Sequence, residues 1–183
     1  NGKSTILLMS NAALSERCIE LADQLCQATG ARSFCDTFTT KIARGEGRCP
    51  IERLGYFAEQ ATEQIKGVEQ LIMVGTKAPV AFFAYPGKAS EFYPPGSTLH
   101  TLAEVSEDAE DALQKLVDEL DASKFNLRRQ QLVKPGLATG SLSPETVARA
   151  FTELMPTDAV VVDESATAGF LTFPLSETAE PHD

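Results

Sequence analysis

Short apolar runs that alternate with helical patterns constrain this chain more than any other feature. Ser4 to Met9 reads S-T-I-L-L-M, a continuous apolar run of the kind found in strands covered on both faces. Leu14, Cys18, Leu21, Ala22 and Leu25 then recur at the i, i+3, i+4 spacing of a helix that starts after Ser10-Asn11 and stops at Gly30. Arg32 to Phe38 repeats the strand signal, Glu52 to Lys66 the helical one closed by Gly67, and Gln70 to Val74 gives a third strand ending at Gly75. Ser97 to Leu102 reads as a further strand and Asp108 to Leu120 as a third long helix. Such alternation requires right-handed crossovers and a parallel sheet. The expected fold is α/β: a Rossmann-like three-layer parallel sheet followed by a truncated second α/β unit.

That second unit opens at Ser143-Pro144-Glu145, a helix start, and continues with apolar positions at helical spacing to Leu154. After the turn Pro156-Thr157-Asp158 comes the apolar run Ala159 to Val162, read as a strand. One helix and one strand cannot bury their own apolar faces. The expected organisation is therefore a domain over residues 1–122, a linker over 123–142 rich in turn residues, and an incomplete start of another domain over 143–183. The missing initiator Met agrees with the expectation of a fragment cut from a longer chain.

A net charge of −10 disfavours nucleic acid and anionic membrane surfaces as partners, both of which require clustered Lys and Arg. No apolar run reaches the roughly twenty residues of a bilayer span, and no secretory leader is recognisable. Cys18, Cys26, Cys35 and Cys49 form no CxxC and no ligand set with His100 or His182. They are expected as free, packed thiols in a cytoplasmic protein.

Ligands of parallel sheets bind at the carboxyl ends of the strands. Ser10 and Asn11, the loop Gly45 to Gly47, and Gly75, Thr76 and Lys77 fall there, and helix-start N–H groups beside them could hold a nucleotide phosphate. Neither GxGxxG nor GxxxxGK[ST] occurs, and the Gly45 to Gly47 loop reads better as a structural turn. The segment 76–96 holds five of the chain's ten Phe and three Tyr residues, among them Phe82, Phe83 and Tyr85, and reads as a contact with a neighbouring domain, with a cofactor-cleft wall, a subunit contact or a loop folded onto the sheet edge as alternatives. Asp163 to Gly169 offers hydroxyls, small side chains and N–H groups that suit a diphosphate, with an ordinary strand-to-helix turn as the equal alternative.

The motifs G-T-K-A-P-V-A-F-F-A-Y-P-G-K, S-L-S-P-E-T-V-A-R-A-F-T-E-L-M-P and V-V-V-D-E-S-A-T-A-G resemble the thiamine-diphosphate-dependent acetolactate synthase-like family, near its benzoylformate decarboxylase branch. The resemblance implies three α/β domains in the parent: pyrimidine-binding, central, and diphosphate-binding. This chain would be the central domain plus the opening of the third. The family's activating glutamate and its Mg²⁺-holding GDG…N motif would both lie elsewhere, so no catalytic or metal residue is expected here. Glu164, Ser165, Ala166 and Thr167 match the loop that approaches the cofactor diphosphate in decarboxylase-like members. Synthases proper carry a Gly-Gln-His-Gln type segment there, which this chain lacks. The resemblance also implies a homo-oligomeric parent enzyme that binds thiamine diphosphate and Mg²⁺ and acts on a 2-oxo acid. FAD or ADP occupies the central domain in some members, whereas the expectation here is a structural domain with no nucleotide.

Overall fold

The computed structural model describes residues 2–165 and 168–183. The chain divides into two compact units, residues 1–41 with 51–127 and residues 42–50 with 128–183. The loop 42–50 leaves the first unit for the second. The stretch expected as a linker is divided between them, since its residues from Arg128 onward pack in the second unit.

The first unit is built on five parallel strands: β1 (Thr5–Met9), β2 (Arg32–Cys35), β3 (Glu52–Arg53), β4 (Gln70–Val74) and β5 (Thr98–Ala103). Their order across the sheet is β3-β2-β1-β4-β5, the classic doubly wound arrangement. Ile6 of β1 stands between Arg32 of β2 and Leu71 of β4, so the most apolar strand takes the central place. Ile6 and Leu8, on one face of β1, pack with Phe34, Leu71 and Met73 against Ala58 and Ala61 of helix α2 (Ala58–Gln64) and against Ile65 at its end. The other face is covered by α1 (Glu16–Thr29) and α3 (Ala109–Glu119), which pack on each other. Leu21, Leu25, Leu113 and Val117 are fully buried there. Each such side chain withdrawn from water contributes about 1.5–3 kcal/mol. The expected three-layer α/β domain is what the chain forms.

Several local expectations need correction. A 3-10 turn, Asn11–Leu14, intervenes before α1, and Ser15 rather than Ser10 caps that helix, its hydroxyl accepting from the Cys18 N–H. Gly30 ends α1 as expected, in the left-handed region at φ 76°. Strand β2 stops at Cys35 rather than Phe38. Residues 52–66 are not one helix: Glu52 and Arg53 pair with Phe34 and Cys35 as β3, and α2 begins only at Ala58. Main-chain pairing and the Arg32–Glu52 ion pair override the helical pattern there.

In the second unit, α4 (Pro144–Leu154) carries a full capping box, with Ser143 and Thr146 each accepting from the other's backbone N–H. The run 159–162 is not a strand. Ala159 makes one parallel bridge to His182, while Val160 and Val162 are 78% and 81% exposed. The run bonds only briefly to the segment 181–183, with the Asp183 N–H donating to the Ala159 carbonyl and the Val161 N–H to the Asp183 carbonyl, and among the described residues of this unit no named strand extends that pairing. The short α5 (Thr172–Leu175) packs against α4.

Among the described residues, no helix is long and apolar enough to cross a membrane.

Candidate functional site

The point at which strand order reverses lies between β1 and β4, and the residues that follow both strands meet there. Ser10 donates its N–H to the Val74 carbonyl at 3.1 Å, and the Asn11 side-chain amide donates to the Gly75 carbonyl at 2.8 Å. Gly75 sits at φ 66°, and a side-chain carbon built on it would lie 2.7 Å from the Ser10 carbonyl oxygen. Both the conformation and the close approach require glycine at this place.

Thr76 completes the cluster by donating its hydroxyl to the Asp36 carboxylate at 2.6 Å. Asp36 directly follows β2, so this bond spans β1 and ties together the ends of two strands that are not neighbours. Burial pushes the Asp36 carboxyl above its ordinary value, and the hydroxyls of Thr76 and Ser10 partly offset that rise. Ser10, Asn11, Gly75 and Thr76 are thus brought together at the ends of β1 and β4. Lys77 joins the cluster only through its carbonyl, 3.4 Å from the Thr76 hydroxyl, while its side chain is exposed.

Asp36 is the residue that sequence reasoning missed. An acidic residue after the second strand is where a doubly wound fold recognises a ribose. Its own position after an apolar run was the available signal. Here, though, the Thr76 and Ser10 hydroxyls bond the carboxylate, and the Asn11 amide bonds the Gly75 carbonyl. The first turn of α1 also carries Glu16, which disfavours a phosphate at that helix start.

The Gly45 to Gly47 loop is a structural turn of the second unit, as expected. Gly45 lies so close to the Glu180 carbonyl that a side-chain carbon would overlap it, and the Gly47 N–H donates to Gln130. Beside it, Arg44 is buried, bonds the Ser176 hydroxyl at 3.2 Å and lays its guanidinium 3.5 Å from the Phe173 ring centre. His182 is buried in the same cluster, with Nδ1 2.7 Å from the Glu180 carbonyl. Burial lowers its pKa, and the positive charges of Arg44 and Arg48 add to that, so His182 packs as a neutral ring.

The loop matched to the cofactor diphosphate is described only in part, since Ala166 and Thr167 lie outside the described residues. Glu164 and Ser165 are exposed. The Ser165 N–H donates to the Asp163 carboxylate at 2.9 Å, and the Ser165 hydroxyl donates to the same oxygen. The Ser165 N–H and hydroxyl are therefore spent within the loop, next to two carboxylates. The described residues do not by themselves fit thiamine diphosphate. Among them, no group of three or more His, Cys, Asp or Glu is placed to hold a metal ion.

No family model matches this chain. It is 40% identical over its 183 residues to a Mycobacterium tuberculosis (strain ATCC 25618 / H37Rv) protein provisionally described as the acetolactate synthase large subunit IlvX, and it spans 35% of that protein. In fold it resembles a thiamine diphosphate-dependent 4-hydroxybenzoylformate decarboxylase of Rhodococcus jostii RHA1, with a TM-score of 0.62 and 19% identity. That match covers 98% of this chain and 36% of the other. A Mycobacterium smegmatis protein provisionally described as thiamin diphosphate-dependent matches with a TM-score of 0.65 and 13% identity, over 98% of this chain and 38% of that one. The chain thus spans about a third of the length of the relatives it matches.

Proposed function

We propose that this chain, a relative of an acetolactate synthase large-subunit-like protein with a fold found in thiamine-diphosphate-dependent enzymes, is the central part of such an enzyme and has no catalysis of its own. Residues 1–122 are its central Rossmann-like domain, 123–142 a linker and 143–183 the opening of its diphosphate-binding domain. The whole enzyme would act on a 2-oxo acid by decarboxylation, with or without carboligation. Thiamine diphosphate supplies the electron sink for that chemistry. The same reading gives the whole enzyme Mg²⁺ alongside the cofactor, a homo-oligomeric assembly and a cytoplasmic location.

One observation carries the proposal: identity of 40% along the entire chain to a relative nearly three times as long. The self-satisfied cluster at the strand ends supports a scaffolding role for the first unit. The Asn11 amide and the Thr76 hydroxyl are engaged within the cluster, tying the ends of β1, β2 and β4 together. At the Asp163 to Thr167 loop, Glu164, Ser165, Ala166 and Thr167 would reach the diphosphate only once the rest of that domain draws Ser165 away from Asp163. The test is an assay of the purified chain with thiamine diphosphate, Mg²⁺ and a panel of 2-oxo acids. The expected result is no release of carbon dioxide above the cofactor-only control. Appreciable decarboxylation would overturn the proposal.

Asp36 favours a second reading, in which the first unit is a nucleotide-binding module for FAD or ADP with Asp36 on the ribose and Ser10, Asn11, Gly75, Thr76 and Lys77 near the phosphates. That reading requires the Thr76–Asp36 bond to break. Calorimetric titration with FAD and ADP decides it: the expected outcome is no heat of binding, and saturable binding by either would establish the module.

A further inference from the structure

Three backbone segments of the second unit meet at His182. On one side His182 and Arg44 exchange N–H to carbonyl bonds, both at 2.9 Å, and the Glu46 N–H donates to the Ala179 carbonyl at 2.8 Å. On the other side the Asp158 N–H donates to the Pro181 carbonyl at 2.7 Å. The Val161 N–H donates to the Asp183 carbonyl at 2.8 Å, and the Asp183 N–H to the Ala159 carbonyl at 3.0 Å. Residues 179–183 thus form the middle row of a three-row backbone array. His182 stands in that row and is only 3% exposed. Its Nδ1 lies 2.7 Å from the Glu180 carbonyl oxygen, which can only accept, so Nδ1 carries the proton and a second one would go to Nε2.

From this we infer that His182 is a proton-operated latch: while its ring is neutral it holds 44–46 and 158–161 against 179–183, and a second proton on the ring releases them. Burial is the first reason, since a charged ring there gives up hydration that it regains once the segments part. The surrounding charges are the second. Arg44 and Arg48 both come from the loop 42–50, and the Arg48 guanidinium bonds the His182 carbonyl and, at 2.9 Å, the Asp183 carboxylate. Asp183 is therefore already paired, and Glu180 is paired with Lys134 at 3.0 Å. Glu46 and Asp158, on the flanking segments, join the array through their N–H groups. Burial and the two guanidinium charges outweigh the Glu180 carbonyl and the Asp183 charge, and keep the ring neutral. A released ring takes its second proton near pH 6.5, the latched ring only at lower pH. Opening is therefore favoured as pH falls through that window, and the latch is fully closed above it.

The latch needs no cofactor and stands apart from the 2-oxo acid reading, so its test is separate from the carbon dioxide assay. Amide hydrogen exchange on the purified chain, corrected for the intrinsic pH dependence of exchange, reads the opening directly. Between about pH 7.5 and about pH 5.5 the amides of Arg44, Glu46, Val161 and His182 should lose protection roughly 10-fold relative to those of β1. His182→Asn keeps a neutral donor toward the Glu180 carbonyl and takes no proton, so the same amides should hold their protection across that range. His100→Asn removes the chain's other histidine, exposed on β5, and should leave the release intact. In the parent chain, NMR titration should find the His182 ring protonated at a lower pH when folded than in urea. Equal titration in both states overturns the inference, as does protection that acid leaves unchanged. Release that persists in His182→Asn, vanishes in His100→Asn or is matched by equal loss at β1 overturns it too.

Discussion

At Gly75 a methyl group has nowhere to go. The left-handed backbone and the Ser10 carbonyl both exclude it, so Gly75→Ala should destabilise the first unit by about 1–3 kcal/mol in denaturant melts. The residues around it were legible in the sequence because an apolar run that stops at a glycine or a small polar residue marks a strand end. Asp36 was not, because its role arises only when β2 folds beside β1 and brings the carboxylate within reach of Thr76. Two buried titratable groups should leave opposite marks on stability. Folded Asp36 keeps its proton to a higher pH than the unfolded value of 3.8, so its contribution falls as pH rises through the folded pKa. Folded His182 refuses a proton that the unfolded chain accepts below pH 6.5, so its contribution falls as pH drops beneath that value. Stability curves of Asp36→Asn and His182→Asn, recorded between about pH 4 and 8, should therefore depart from the parent curve in opposite directions. Curves parallel to the parent would refute both assignments.

Among the elements, α4 shows how a helix can depend on its first turn. Val147 and Leu154 on one side are exposed, while Ala148 and Thr152 on the other are buried, so tertiary packing holds only one face. Ser143→Ala, which removes half of the capping box, should cost about 1 kcal/mol, seen as faster amide exchange along the helix. Unchanged exchange would mean that packing alone fixes α4. The cap itself was written in the sequence, as Ser143-Pro144-Glu145 followed by helical spacing. Strand β3 was not, because two residues carry no period of their own and become a strand only through β2. The run Ala159 to Val162 failed in the other direction: its composition says strand, but among the described residues its backbone partner is the short segment 181–183, too little for a regular ladder. Propensity proposed in both places, and partners decided.

For the molecule as a whole, the parallel sheet was the most legible feature, since three apolar runs separated by helical patterns admit few other topologies. The division into units was the least legible. The excursion of residues 42–50 depends on contacts with residues more than a hundred positions away, which no local pattern records. All four cysteines are buried, in agreement with the expected packed thiols. Burial also raises the Cys18 pKa. A colorimetric thiol reagent should therefore find none of the four reactive in the folded chain and all of them after denaturation. Prompt reaction of any one without unfolding would contradict the packing described.

The loop that leaves the first unit and returns has a practical corollary for anyone shortening this polypeptide. Because residues 42–50 lie in sequence between β2 and β3, no single cut separates the units cleanly. A version ending at Leu127 would keep Arg44, Gly45 and Arg48 while discarding His182, Ser176 and Glu180, the groups against which they are set. Two guanidinium groups would then be left stranded in mid-chain. A shorter version designed to stand alone would need a new, plain turn in place of that excursion.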